Sequence, residues 1–231
     1  MPDPAALLTV HDLACARGER TLFTGMNFAL RAGELLLVRG GNGRGKTSLL
    51  RLLTGLAHPL AGEIHWRGVA ISAEREQYHR EMAYLGHLNG IKDELTPVEN
   101  LRMTAEMARA PISQEAAETA LTEIGLARCL DLPCRVLSFG QRRRVALASL
   151  VNAGARLWIL DEPLTGLDIH GVALVEGLLR DHVGKGGLVV TTTHQALALD
   201  GVAIVPLQVG PELTLPEASP VPEEEVECCA S

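Results

Sequence analysis

Gly40-Gly41-Asn42-Gly43-Arg44-Gly45-Lys46-Thr47, written GGNGRGKT, is the stretch on which the reading of this 231-residue chain turns. It fits G-x-x-x-x-G-K-[ST], and so do its flanks. Upstream, Leu35 to Val38 form a continuous apolar run after Gly33-Glu34, which suits a strand covered on both faces. Downstream, Leu49, Leu50, Leu52, Leu53 and Leu56 follow Lys46 at helical spacing and end near Gly55 and Pro59. Strand, glycine-rich loop and helix together predict a phosphate cradle. The glycines let backbone N–H groups turn onto phosphate oxygens, assisted by the positive end of the following helix. Lys46 adds a point charge at the β- and γ-phosphates, and Thr47 offers its hydroxyl to Mg²⁺. The candidate ATP-binding residues here are Gly40, Gly41, Asn42, Gly43, Arg44, Gly45, Lys46, Thr47 and Ser48.

Two more apolar runs, Leu157 to Leu160 and Leu188 to Thr193, read as further strands of a parallel sheet. The first ends on Asp161-Glu162. An apolar strand ending in Asp is where a P-loop NTPase keeps its Mg²⁺-holding carboxylate, so Asp161 is the candidate metal partner, mainly through water. Glu162, one residue on, aims a carboxylate at the water that attacks the γ-phosphate. The expected fold is therefore α/β, a P-loop NTPase core around a parallel sheet. The middle of the chain changes character. Thr96-Pro97-Val98-Glu99 has capping-box spacing with proline at the first helical position. Ser113 caps a second helix, with Glu115 and Glu118 in its first turns and Gly125 near its end. About 92–136 is expected to be a helical subdomain inserted into the core.

Composition bounds the rest. The chain is 47% hydrophobic but only 3% aromatic, so its core is aliphatic. The most apolar span, Val145 to Leu160, is interrupted by Asn152 and Arg156, which excludes a membrane-spanning helix there. The start, MPDPAALLTVHD, has no charged n-region, apolar block or cleavage site, so a cytoplasmic chain is expected. A net charge of −7 argues against nucleic acid as a partner. Six of the acids, Glu212, Glu217, Glu223, Glu224, Glu225 and Glu227, lie in 206–231, which holds no basic residue. That Pro- and Glu-rich stretch reads as a mobile tail behind an ATPase domain of residues 1–205. Cys15, Cys129, Cys134, Cys228 and Cys229 form no zinc-like pair of CxxC units and read as free thiols, with a redox or metal role for adjacent Cys228–Cys229 left open.

A second anion site is written at LSFGQRRR (Leu137 to Arg144). Ser138-Phe139-Gly140-Gln141 fits S-x-x-Q, a capping box for the helix through Val145-Ala146-Leu147-Ala148, and a capped helix start with serine and glycine also holds anions. Both roles stand at this point. Arg142, Arg143 and Arg144 read as a solvated face, with charge near the phosphates as the alternative.

In this order the motifs resemble those of the ATP-binding cassette (ABC) ATPases. GGNGRGKT is similar to the P-loop, LSFGQ to the signature, LWILDEP to Walker B, Leu167-Asp168 to the D-loop, and TTTHQ (Thr191 to Gln195) to the switch segment. The resemblance spans about residues 7–205. It implies an N-terminal antiparallel β subdomain beside the core, and head-to-tail dimers in which each ATP lies between one chain's P-loop and the other's signature. It further implies that Ser138, Gly140 and Gln141 serve the partner's nucleotide and that Asp168 couples the two sites. Lys46, Glu162 and His194 become the candidate catalytic residues, with His194 on the γ-phosphate and the water.

Tyr84-Leu85-Gly86-His87, ahead of Leu95-Thr96-Pro97-Val98-Glu99-Asn100, together with GERTLF (Gly18 to Phe23) and KTSLLRLLTGL (Lys46 to Leu56), resembles the haem exporter ATP-binding subunits of cytochrome c maturation, the CcmA family. Most cassettes carry glutamine where His87 stands. Imidazole suits a hard cation poorly, so His87 is expected to reach Mg²⁺ through water or to touch phosphate, against a loop histidine without a role. The resemblance implies an ATPase on the cytoplasmic face of the bacterial inner membrane. Its partners would be a second copy of the chain and integral permease subunits that themselves handle haem, and its work the release of a haem-loaded chaperone. The chain departs from the pattern at Leu88, where glutamine is usual, at Arg44, at Gly41, and near Arg17, where no aromatic stands to stack adenine and the guanidinium is the substitute. The alternative is an ABC ATPase subunit for another substrate. A soluble repair or translation cassette lacks support, with neither a coiled-coil insertion nor a fused second cassette present, and a GTPase lacks its N-K-x-D motif.

Overall fold

The computed structural model describes residues 5–210. The acidic stretch from Pro211 onward, Cys228 and Cys229 included, lies outside the described residues. Two sheets organise the chain. Strands β1 (Ala6–Arg17), β2 (Arg20–Arg31), β4 (Ala61–Trp66) and β5 (Val69–Ala70) form an antiparallel sheet in the order β2-β1-β4-β5. Strands β3 (Glu34–Arg39), β6 (Met82–Leu85), β7 (Leu157–Asp161), β8 (Leu188–Thr192) and β9 (Ala203–Gln208) form a parallel sheet in the order β6-β7-β8-β3-β9.

The continuous apolar runs have the cause expected of them: both faces of the parallel sheet are covered. In β3, Leu36 and Val38 face a core shared with the antiparallel sheet and helix α1 (Lys46–Leu53), while Leu35 and Leu37 face the opposite core. In β7, Leu157 and Ile159 face the first core, and Trp158 and Leu160 the second. That second core is closed by helices α5 (Phe139–Asn152) and α6 (Ile169–Gly184).

Between β6 and α5 lie helices α3 (Pro97–Met107) and α4 (Gln114–Glu123), with a 3₁₀ turn at Cys134–Val136. Thr96 caps α3 in a complete capping box with Glu99, and Ser113 caps α4 through the Ala116 N–H. These helices share a third core in which Val145 and Ala148 of α5 are buried, while Ala146, Leu147 and Leu150 of the same helix belong to the second. Helix α5 therefore joins the helical segment to the parallel sheet. Short helix α2 (Arg75–Glu81), β5 and β6 have no counterpart in the sequence reading.

Strand β9 runs past the boundary expected at residue 205. Pro206, Leu207 and Gln208 continue its parallel pairing with β3, and Val209 is buried. As the edge strand it accommodates a proline, whose missing N–H breaks no interior ladder. Gly40 uses this edge. At φ 149 it brings the cradle's backbone so close to the Val209 carbonyl that a Cβ would collide with it.

Candidate functional site

The C-terminal ends of β3, β7 and β8 converge, as expected of ligand sites in open parallel sheets. From β3 the chain passes through residues 40–45 into α1, with Gly45 at φ 106 as the N-cap. Residues 41–44 are exposed, whereas Lys46 is only 8% exposed. The Lys46 ammonium donates back across the loop to the Gly40 carbonyl at 2.7 Å and lies 3.3 Å from His194 Nε2. Thr47 Oγ1 donates to Asp161 Oδ2 at 2.9 Å. Ser48 instead lies against the Cys15 thiol of β1.

Asp161 is 3% exposed at the end of β7, and its second oxygen accepts from Thr192 Oγ1 at 2.8 Å. The Thr192 hydroxyl in turn accepts from the Glu162 N–H at 2.9 Å. This threonine escaped the sequence reading, although it stands two residues before His194 and pairs with Asp161 in the parallel register. Glu162 follows at φ 51, a left-handed conformation uncommon for a residue with a side chain. Its Oε1 lies 3.4 Å from His194 Nε2. Lys46, Thr47, Asp161, Glu162 and His194 are thus one cluster.

His87 joins it through no hydrogen bond. It is exposed, and Leu88 beside it is 83% exposed. Ser138, Gly140 and Gln141 are separate too. Ser138 Oγ accepts from the Gln141 N–H at 3.2 Å, and Gln141 Oε1 from the Ser138 N–H at 2.8 Å, a reciprocal capping box opening α5. Next to it, Phe139 packs on Gly166, whose φ of 75 and closeness to the ring leave no room for a Cβ. Asp168 caps α6 through the Gly171 N–H at 2.7 Å and pairs with Arg144 at 3.1 Å. The Gly171 N–H, then Arg144, hold this carboxyl below its ordinary range.

The three consecutive arginines are not a uniform solvated face. Arg142 meets Asp93 at 3.5 Å and Arg144 meets Asp168, but Arg143 is 1% exposed. The face of α5 that carries it is the one packed on the parallel sheet. None of the three is hydrogen-bonded to residues 40–47. A cavity of about 130 Å³, lined by Leu52, Ile64, Ile71, Tyr78 and His79 among others, shares no residue with the cluster.

The oxygen donors here fit Mg²⁺. A hydroxyl and a buried carboxylate, already 2.9 Å apart, are the hard ligands that cation takes beside its waters. Among the described residues no group of three or more His, Cys, Asp or Glu side chains could hold another metal.

Residues 23–165 match the model of the ABC transporter family. The chain is 51% identical to the cytochrome c biogenesis ATP-binding export protein CcmA of Nitrosomonas europaea, over 88% of this chain and 95% of that one. It is equally identical to the CcmA protein of Nitrosospira multiformis, over 85% and 96%. The structure of an ATP-binding subunit of an ABC transporter superposes with a TM-score of 0.76 at 28% identity, covering 88% of each chain. The ADP conformation of an ATP-binding cassette superposes at 0.73 with 20% identity, over 88% of this chain and 89% of that one, and shares the fold.

Proposed function

The chain belongs to the ABC transporter family and, within it, to the cytochrome c biogenesis ATP-binding export proteins CcmA, and on that premise we propose that its ATPase drives haem handling in c-type cytochrome maturation. It binds and hydrolyses ATP for a membrane complex, and the work delivered is release of a haem-loaded chaperone. One observation carries the chemistry: Lys46, Thr47, Asp161, Glu162 and His194 meet at the ends of three parallel strands. Arriving triphosphate draws the Lys46 ammonium from the Gly40 carbonyl to its β- and γ-oxygens. Backbone N–H groups of the loop take up the remaining phosphate charge, although that of Arg44 donates to the Gly41 carbonyl at 3.3 Å. Glu162 accepts a proton from the attacking water, and His194, beside both Glu162 and Lys46, orients that water on the γ-phosphate. Thr47 and Asp161 would hold Mg²⁺, which supplies charge stabilisation on the phosphates when bound, and His87 would act through water or on phosphate.

The working unit in this reading is a head-to-tail pair. Ser138, Gly140 and Gln141 of one copy face the triphosphate held by the other, and Asp168 relays between the two sites. The exposure of Ser138, with Phe139 43% and Ile169 85% exposed beside Asp168, supports a surface that a second copy covers. No helix among the described residues is long and apolar enough to cross a membrane. In this reading the chain sits on the cytoplasmic face of the inner membrane through permease subunits, and the helical segment 92–136 with the loop near His87 and Leu88 passes the mechanical output to them. Copurification from membranes, followed by mass spectrometry of partners and a haem assay, tests this. Permease subunits of cytochrome c maturation with haem are expected. A permease for a different cargo would overturn the haem assignment and leave the ATPase standing.

A further inference from the structure

Arg143 is the largest fully buried side chain among the described residues, and nothing in the chemistry above uses it. All five N–H donors of its guanidinium are placed. Nε donates to the Pro163 carbonyl at 3.3 Å. Nη2 donates to the carbonyls of Asp161 at 3.2 Å and Glu162 at 2.9 Å. Nη1 donates to the Gly86 carbonyl at 2.9 Å and Asn89 Oδ1 at 3.0 Å. Every acceptor is neutral. A buried cation held only by neutral acceptors is costly to keep, and burial does lower its pKa, with the Asp161 and Glu162 carboxylates opposing that. A leucine or methionine would avoid the cost of the charge but leave four carbonyls and the Asn89 amide oxygen without their donor, so what the arginine specifically supplies is the fixed placement of those five acceptors.

The acceptors say what is positioned. Three are the successive carbonyls 161–163, which carry the chain through the left-handed turn at Glu162. The other two belong to loop 86–89, which follows β6 on the edge of the same sheet. That loop continues to Asp93 and Leu95, whose carbonyls accept from the N–H groups of Arg135 and Cys134 on the approach to Ser138. One guanidinium thus joins the signature helix, the loop after β6 and the backbone of Glu162.

We propose that Arg143 is a positioning residue that holds the Glu162 backbone in its left-handed conformation and ties the aim of that carboxylate to loop 86–89. The inference rests on Glu162 being the group that activates water. A displacement of loop 86–89 or of α5 then reaches the carboxylate through a single side chain, without passing through the P-loop.

The test uses the full-length chain in its membrane complex, with single-turnover hydrolysis of radiolabelled ATP and binding of a fluorescent ATP analogue. Arg143→Gln is expected to slow hydrolysis about tenfold or more while analogue affinity stays within about twofold. In a Glu162→Gln background the same substitution is expected to change the residual rate by less than about twofold, because a residue acting through Glu162 has nothing left to aim. An equal slowing in both backgrounds, or an unchanged rate in Arg143→Gln, overturns the proposal. Should Arg143→Gln not fold, Asn89→Ala removes one acceptor at the loop end. A severalfold loss confined to the Glu162 background is expected there, and full activity overturns the link to the loop. Glu162→Gln alone separates the two readings. Normal turnover in it removes the premise, whereas an inactive Glu162→Gln beside a fully active Arg143→Gln removes only the role given to Arg143.

Discussion

Glu162 occupies a backbone region that costs a residue with a side chain on the order of 1–3 kcal/mol, and such strain persists only where the surroundings fix it. Here Thr192 accepts its N–H and Arg143 donates to its carbonyl, so both ends of the residue are held while the carboxylate stands free beside His194. Replacing that carboxylate by an amide keeps the shape and removes the base. Glu162→Gln is therefore expected to bind ATP and hydrolyse it at least about a hundredfold slower, the lower range for lost acid–base assistance, and to accumulate as a closed dimer. Normal turnover would take Glu162 out of the mechanism. Asp168 carries a pH dependence. Its folded-state pKa lies below the ordinary carboxylate value because the ionised form accepts from the Gly171 N–H and pairs with Arg144. Its contribution is thus fully present above the unfolded-state value and is lost as pH falls through the folded one. Asp168→Asn keeps an N-cap acceptor but not the titration, so its thermal midpoint should fall less steeply than wild type below about pH 4. Identical slopes would show that the cap does not sense protonation. At this scale the sequence yields what a motif spells out, Lys46, Thr47, Asp161 and Glu162 among them. Arg143 stays hidden because three consecutive arginines look alike until tertiary packing turns one of them inward.

Among the elements, α5 has two duties that one substitution can separate. Its N-terminus is closed by the Ser138–Gln141 box, and the same serine is exposed where a partner's triphosphate is proposed to lie. Aspartate caps a helix as well as serine does and favours the positive end of the dipole, but it brings a negative charge against a phosphate. Ser138→Asp should leave the unfolding free energy within about 0.5 kcal/mol of wild type, where an uncapped alanine would cost about 1 kcal/mol. Hydrolysis should nevertheless fall about tenfold or more through like-charge repulsion. Wild-type hydrolysis in this variant would reduce Ser138 to a cap. The strands divide by pattern. β3, β7 and β8 are legible because both faces are covered and apolar residues run without a break. β9 is not, because Ala203-Ile204-Val205-Pro206-Leu207-Gln208 contains a proline, which only its position at the sheet edge makes harmless. The short β5 and β6 hold too few residues for any period to appear.

For the molecule as a whole, the separation of signature from P-loop within one chain is what makes the paired reading testable. Among the described residues no hydrogen bond joins Ser138, Gly140 or Gln141 to the segment from Gly40 to Thr47, and the signature is tied instead to Gly166 and its own helix. If each site needs both motifs from different copies, chains damaged in opposite halves should complement one another. A Ser138→Asp chain keeps a sound P-loop and a spoiled signature, and a Lys46→Ala chain the reverse. Homodimers of either hold no sound site. A mixed dimer holds one, made of the first chain's P-loop and the second chain's signature, while its other site is broken twice over. Random pairing of equal amounts makes half of the dimers mixed, so about a quarter of all sites are sound. Single-turnover hydrolysis in the mixture should accordingly rise above both parents toward about a quarter of the wild-type amplitude, and should do so only after subunits are allowed to exchange. Sites built within single chains would give the mean of the two parents at every mixing ratio, before exchange and after it.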